Sequence, residues 1–343
     1  MKILLVLVLI SAMAGQAGAA AAKGKLLFGV NHDFVWTEDK DIPDLIQAMK
    51  DAHVQSVRMG IRWTSVEPER GKWVFDKPDR VVKQLREAKI DILCPLMSVP
   101  AWASGVKPEE VKGFWDCFAP KDMKDWEEYV RRVVGRYKND IHHWEIWNEE
   151  NGADFYRPVP DAPTYVRILK SAYQAAKSVD PKTTIVLGGL QMNGIIPNPW
   201  APLKVENFLQ KIYDAGGKPY FDVVNVHPYV LSTANEGPAY CAKLVRGTVE
   251  VMKKNGDAKK PLWITETGLP TGGSVTEEMQ AEHLRGIYRE LSAIPEVKAL
   301  YWFELRDYPK AICGGEESMG LLATDHRRKP SFDAYSKAAG NRQ

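Results

Sequence analysis

Short apolar runs alternate with amphipathic stretches along nearly the whole of this chain. That pattern restricts the fold to a parallel α/β architecture, because strands buried on both faces need helices to cover them. The strand-like runs lie at Leu26 to Val30, Ser56 to Gly60, Asp91 to Met97, His143 to Asn148, Thr184 to Leu190, Val223 to His227, Leu262 to Glu266 and Ala299 to Glu304. Helical patterns follow at Asp41 to Ala52, Lys77 to Ala88, Lys121 to Tyr137, Ala162 to Ser178, Leu203 to Ala215, Ala239 to Lys254, Glu277 to Ser292 and Ser331 to Ala339, with Asp76 and Asp161 as predicted N-caps. Eight strand-and-helix units predict a single (β/α)8 TIM barrel rather than an open sheet. No linker or low-complexity tract divides the chain, so one domain over 23–343 is expected.

Two of the runs end in a carboxylate followed by loop-forming residues: Trp144-Glu145-Ile146-Trp147-Asn148-Glu149 and Leu262-Trp263-Ile264-Thr265-Glu266-Thr267-Gly268. Glu149 and Glu266 are 117 positions apart. At about 35 to 40 residues per unit, that spacing sets them on strands four and seven, both at the C-terminal mouth where barrel active sites are built. A pair of carboxylates there suits hydrolysis of a glycosidic bond. One protonates the leaving oxygen, and the other attacks or stabilises the sugar carbon as it becomes cationic. The plainer alternative makes Glu149 a surface residue opening a loop, with Glu150 equally exposed beside it. The partner strand and the Trp-rich approach favour the catalytic reading.

Supporting residues follow from what such a pair needs. The Asn148 amide can hydrogen-bond a sugar hydroxyl. A nucleophilic Glu266 must be held by donors, for which Arg58 and Tyr229 are candidates. Arg58 has a second reading as a barrel-interior cation paired with Glu145, since a buried charge requires a partner. His227 ends strand six with Pro228-Tyr229 beyond it, which favours a site role over a structural one. Trp302 is expected to be the platform under the sugar, leaving Tyr301 and Phe303 to the core. Trp102 and Trp63 are candidates for outer subsites.

Composition excludes several function classes. The formal charge of +2 gives no electrostatic footprint for nucleic acid or an anionic membrane. There is no metal-spaced ligand cluster, since His142 and His143 face opposite sides of one strand. There is also no serine elbow, dinucleotide fingerprint or P-loop, so no metal or organic cofactor is expected. The 11 Trp and 13 Tyr suit the apolar faces of sugars, and about a third of the Trp are expected in a cleft. Residues 1–22 read as a secretory signal peptide: Lys2, an apolar stretch too short to span a bilayer, then Ala17-Gly18-Ala19 or Ala20-Ala21-Ala22. The protein is therefore expected to be secreted or periplasmic. In an oxidising compartment the four Cys allow three pairings; Cys94 lies in a strand-like run, and a bridge among Cys117, Cys241 and Cys313 is the expectation to test.

Together these residues resemble the clan A glycoside hydrolases, most of all the family 39 group and the family 5 enzymes near it. The resemblance is carried by Trp144 to Glu149, by Val57-Arg58 with Arg62-Trp63 and Glu67-Pro68-Glu69-Arg70-Gly71, and by Pro100-Ala101-Trp102-Ala103. His227-Pro228-Tyr229, Ile264-Thr265-Glu266-Thr267-Gly268, Gly320-Leu321-Leu322 and Lys329-Pro330 complete it. It implies a retaining (β/α)8 enzyme with Glu149 as acid/base, Glu266 as nucleophile and Asn148 at the sugar 2-hydroxyl. Arg58, His227, Tyr229 and Trp302 would surround the reacting ring. Where the family commonly has Pro-Asn after the acid/base, this chain has Glu150-Asn151. The expected function is secreted, retaining hydrolysis of a β-linked oligo- or polysaccharide. The alternatives are a carbohydrate-binding barrel without catalysis and a transglycosylase using the same two Glu.

Overall fold

The computed structural model describes residues 26–192, 204–229, 237–308 and 318–340. The leader expected at 1–22, Trp200 and Cys313 lie outside the described residues. Among the described residues nine strands form one all-parallel sheet in the order β5-β4-β3-β2-β1-β9-β8-β7-β6. They are β1 (Leu27–Asn31), β2 (Ser56–Arg58), β3 (Asp91–Leu96), β4 (His143–Ile146), β5 (Thr184–Leu187), β6 (Leu190–Gln191), β7 (Val224–His227), β8 (Leu262–Ile264) and β9 (Val297–Trp302).

The sheet closes. Val186 bridges Val223 in parallel, Asp222 N–H donates to Ile185 O (2.7 Å), and Leu187 N–H donates to Val223 O (3.0 Å). β5 and β6 are thus the lower and upper halves of one stave, and the fold is the expected (β/α)8 barrel with its fifth strand interrupted at Gly188-Gly189. Both glycines are required by close approach. A Cβ on Gly188 would stand 2.1 Å from Glu150 Oε2, and one on Gly189 would stand 1.8 Å from His227 Nε2.

Among the described residues eight long helices cover the barrel close to where the periodicity sets them: α1 (Ile42–Asp51), α3 (Asp76–Glu87), α5 (Met123–Tyr137), α6 (Ala162–Val179), α7 (Val205–Asp214), α8 (Pro238–Lys254), α9 (Glu277–Ser292) and α10 (Pro330–Gly340). Two single-turn helices, α2 (Trp63–Val66) and α4 (Ala101–Ser104), sit in the loops after β2 and β3. Along α5 the buried residues Trp126, Tyr129, Val130, Val133, Val134 and Tyr137 recur at the helical period, which is why this polar segment still packs as a helix. Asp161 caps α6 by accepting from Thr164 N–H (2.9 Å). Asp76 does not cap α3: it is the first helical residue, after Phe75.

Two apolar cores result from strand alternation. Leu93, Val186, Val223, Trp263, Ala299 and Tyr301 fill the barrel interior, whereas Ile92, Cys94, Leu300 and Trp302 point outward to the helices. Tyr301 fits only because Gly29 faces it: a Cβ there would lie 2.2 Å from the ring. Gly29→Ala is accordingly expected to lower unfolding free energy by about 1–3 kcal/mol, the usual cost of overpacking, measurable by urea titration.

Candidate active site

Above the apolar layer the barrel interior turns polar, and Arg58 is its centre. The side chain is buried, and all five of its N–H groups are used. Nε and Nη2 grip Glu145 (both 2.8 Å), Nη2 also donates to Asn148 Oδ1 (2.7 Å), and Nη1 donates to Asn31 Oδ1 (3.0 Å) and Glu266 Oε1 (2.5 Å). Burial opposes the charge on Arg58, but Glu145 and Glu266 outweigh it and hold its pKa above the ordinary value. The two readings of Arg58, as structural partner of Glu145 and as holder of Glu266, therefore describe one residue doing both.

Glu266 follows β8 and is held at each oxygen, by Arg58 at Oε1 and by the Tyr229 hydroxyl at Oε2 (2.8 Å). Glu149 follows β4. In an uninterrupted strand Asn148 and Glu149 would face opposite sides, yet both line the pocket. Positive φ at Trp147 (77°) and Glu149 (49°) breaks the alternation. Hydrogen bonds fix this bend: Trp147 N–H to Leu96 O (3.0 Å), Trp147 Nε1–H to Phe155 O (2.7 Å) and Glu149 N–H to Gly189 O (3.1 Å). Since Asn148 Oδ1 accepts from Arg58, the NH2 end is the part of this pocket-lining amide left to donate to a ligand.

His227, at the end of β7 and fully buried, bonds Glu149 Oε1 through Nδ1 (3.0 Å) and Thr265 Oγ1 through Nε2 (2.9 Å). Burial, reinforced by Arg58, drives its pKa well below the ordinary value, which favours the neutral ring. Glu149, His227 and Glu266 each present one atom within 4.8 Å of the others, a spacing that would suit a cation. The contacts argue otherwise: one oxygen of Glu266 already pairs with a guanidinium, and a neutral His227 facing a carboxylate presents an N–H, not a lone pair.

The three tryptophans expected around the sugar lie elsewhere. Trp302 is fully buried on the outer face of β9, donating Nε1–H to Met319 O (3.0 Å) beside His283. Its neighbour Phe303 lines the pocket instead. Trp63 is buried and stacked on Tyr129 (5.1 Å), and Trp102 is half-buried against Trp63 and Arg70, outside the pocket. Among the described residues the one tryptophan lining the pocket is Trp36, which is 66% exposed. It stands on the loop after β1, with Arg62 over its ring (5.8 Å), and Arg62 in turn is gripped by Asp33 (2.7 and 3.0 Å). Phe114, Phe155 and Tyr308 complete a cavity of about 170 Å³. These loop residues carry no periodic signal; only the position of Asp33 and Trp36 just past a strand end could have marked them. The cysteines form no bridge among the described residues: Cys94, Cys117 and Cys241 are buried free thiols.

Glu150, which the plainer alternative puts at the surface beside Glu149, is buried. The Tyr165 hydroxyl is near enough to oppose the shift, but its proton goes to Ile146 O (2.9 Å), so neither carboxyl oxygen of Glu150 has a well-formed hydrogen bond. Burial pushes its pKa from 4.5 up to about 8. A folded-state value above the unfolded one means stability is full below about 4.5 and is lost progressively as pH rises to about 8. Glu150→Gln should therefore raise Tm at pH 8, by the equivalent of a few kcal/mol on an order-of-magnitude basis, and change it little at pH 4.5, as read by thermal melts at the two pH values.

Residues 33–113 match the family model described as glycosyl hydrolase family 42, beta-galactosidase. Beta-galactosidase LacZ of Lactobacillus acidophilus is 29% identical over 163 residues, which cover 42% of this chain and 24% of the relative. Endo-1,4-beta-xylanase 2 of Aureobasidium pullulans is 26% identical over 159 residues, 43% of this chain and 41% of the relative. The chain thus spans less than half the length of either. A family 39 glycoside hydrolase from Bacteroides cellulosilyticus WH2 superposes with a TM-score of 0.71 at 23% identity, over 91% of this chain and 63% of that one. A monomeric beta-xylosidase from Caulobacter crescentus CB15 gives a TM-score of 0.70 at 17% identity, over 91% and 66%. The barrel, the family-model match and the named relatives together support a clan A glycoside hydrolase.

Proposed function

We propose that the protein is an O-glycosyl hydrolase that cleaves a β-linked oligo- or polysaccharide by double displacement with retention. The observation that carries this reading is the approach of a Glu149 oxygen to within 4.8 Å of a Glu266 oxygen at one mouth of the barrel. Oxygens that approach within that bound accord with the roughly 5–5.5 Å carboxyl separation of retaining pairs better than with the roughly 6.5–9.5 Å that inverting enzymes leave for a water. In the first step Glu266 attacks the anomeric carbon, and Glu149 gives its proton to the departing oxygen as the C–O bond breaks. Water then replaces the leaving group, loses its proton to Glu149 and releases Glu266. Arg58 and Tyr229 fix the direction of attack, and the Asn148 NH2 meets a hydroxyl of the reacting sugar. Two donors aimed at one carboxylate favour chemistry over binding alone.

The names of the relatives make β-galactosides and β-xylosides the first substrates to try. Trp36, exposed on the rim, supports a substrate longer than one sugar. Export through the leader at 1–22 belongs to the same proposal and is checked by N-terminal sequencing of protein recovered from the medium or periplasm.

The deciding test is an aryl β-glycoside panel with the anomeric configuration of the first product read by NMR; inversion would remove the double displacement. Glu149→Ala should lose about 10²- to 10⁴-fold on poor leaving groups, far less on dinitrophenyl glycosides, and recover with azide. A 2-deoxy-2-fluoro glycoside of the accepted sugar should label the peptide bearing Glu266, detected by mass spectrometry. Trp36→Ala should raise KM for oligosaccharides about two- to tenfold and leave an aryl monoglycoside unaffected.

A further inference from the structure

Behind the contact between His227 and Glu149 lies a second pair, Thr265 and Asn225, both fully buried. Thr265 N–H donates to Asn225 Oδ1 (3.2 Å), which fixes the oxygen end of that amide. Asn225 Nδ2 is therefore the donor that reaches Thr265 Oγ1 (2.7 Å). With that lone pair occupied, the Thr265 hydroxyl hydrogen has two acceptors in reach, His227 Nε2 (2.9 Å) and Asn225 Oδ1 (3.0 Å). If it turned to Oδ1, the neutral imidazole would carry its hydrogen on Nε2, and Nδ1 would face Glu149 Oε1 across 3.0 Å either lone pair to lone pair or through a hydrogen held on Oε1.

We propose that Thr265, oriented by Asn225, locks His227 in the Nδ1–H tautomer, so that Oε1 of Glu149 is always engaged and the acid's proton resides on Oε2. Thr265 and Asn225 are positioning residues, and His227 neither gains nor loses a proton during turnover. When the glycosidic bond breaks, the hydrogen on Oε2 passes to the leaving oxygen while Nδ1–H stays in place. In the second step the incoming water returns a proton to Oε2. A hydrogen on Oε1 would instead lie against the imidazole and away from the substrate. Gly189 belongs to the same device, since any Cβ there would displace the ring whose tautomer is being set.

The inference rests on Glu149 as the acid, and two measurements separate its failure from failure of that reading. Nitrogen-15 NMR of the native protein, with His227 assigned among the seven histidines, should show the neutral Nδ1–H form across the neutral pH range. The Nε2–H form or an imidazolium would overturn the lock whether or not the protein turns over substrate. In kinetics, Thr265→Val should lower kcat/KM about tenfold or more on aryl glycosides with poor leaving groups, and less than about threefold on the most activated ones, with Thr265→Ser restoring most of the loss. Equal losses on both substrates, or no rescue by Ser, would reduce Thr265 to a packing residue and overturn the proposal. A native protein that shows the tautomer but hydrolyses nothing would instead strike the catalytic reading of Glu149.

Discussion

Everything at the barrel mouth depends on one guanidinium. Glu145, Glu149 and Glu266 bring three carboxyl groups into a region with little solvent, where isolated charges are costly. Arg58 makes that tolerable by gripping Glu145 along two parallel bonds and turning its remaining donors to Glu266, Asn31 and Asn148. A lysine could not replace it, because a point charge has three donors and no planar fork. The same contacts that satisfy a buried cation also aim a carboxylate and an amide at the pocket, so stability and site geometry share one set of bonds.

The polar layer is possible because the layer beneath it is apolar and tightly filled. Tyr301 and Trp263 occupy the lower barrel, and Asn225, Thr265, Glu145 and Arg58 occupy the space above. Departures from regular strand geometry cluster at that upper level. The fifth stave breaks at two glycines to admit Glu150 and His227, and the fourth ends in two left-handed residues that turn Asn148 and Glu149 to the same side. Ideal strands would have scattered these groups over both faces of the sheet.

The tryptophans depart furthest from their expected places. Residue type cannot distinguish a sugar platform from a core ring, because both roles use the same apolar face. Trp302 goes outward because Tyr301 goes inward, and Trp63 is claimed by Tyr129 on α5. Glu150, which the plainer alternative puts at the surface, is buried because the break at Gly188 opens a space that it fills. The pocket-lining residues Asp33, Trp36, Arg62, Phe114 and Tyr308 were missed because loops carry no periodicity to read.

The barrel, the two carboxylates and the staves that deliver them are legible in the order of the residues. These follow from local rules: the period of burial, the number of alternations and the residue at which each apolar run stops. The same order also supplies Arg58, His227 and Tyr229 as partners, since they too stand at strand ends. Long-range packing fixes which oxygen of Glu266 each donor holds, which nitrogen of His227 faces Glu149, and which aromatic rings meet the pocket. Those outcomes depend on stagger between staves, on breaks in strand alternation and on loops packed across the mouth. Such relations join residues up to hundreds of positions apart, as in the 208-residue separation between Arg58 and Glu266, and no local pattern encodes them.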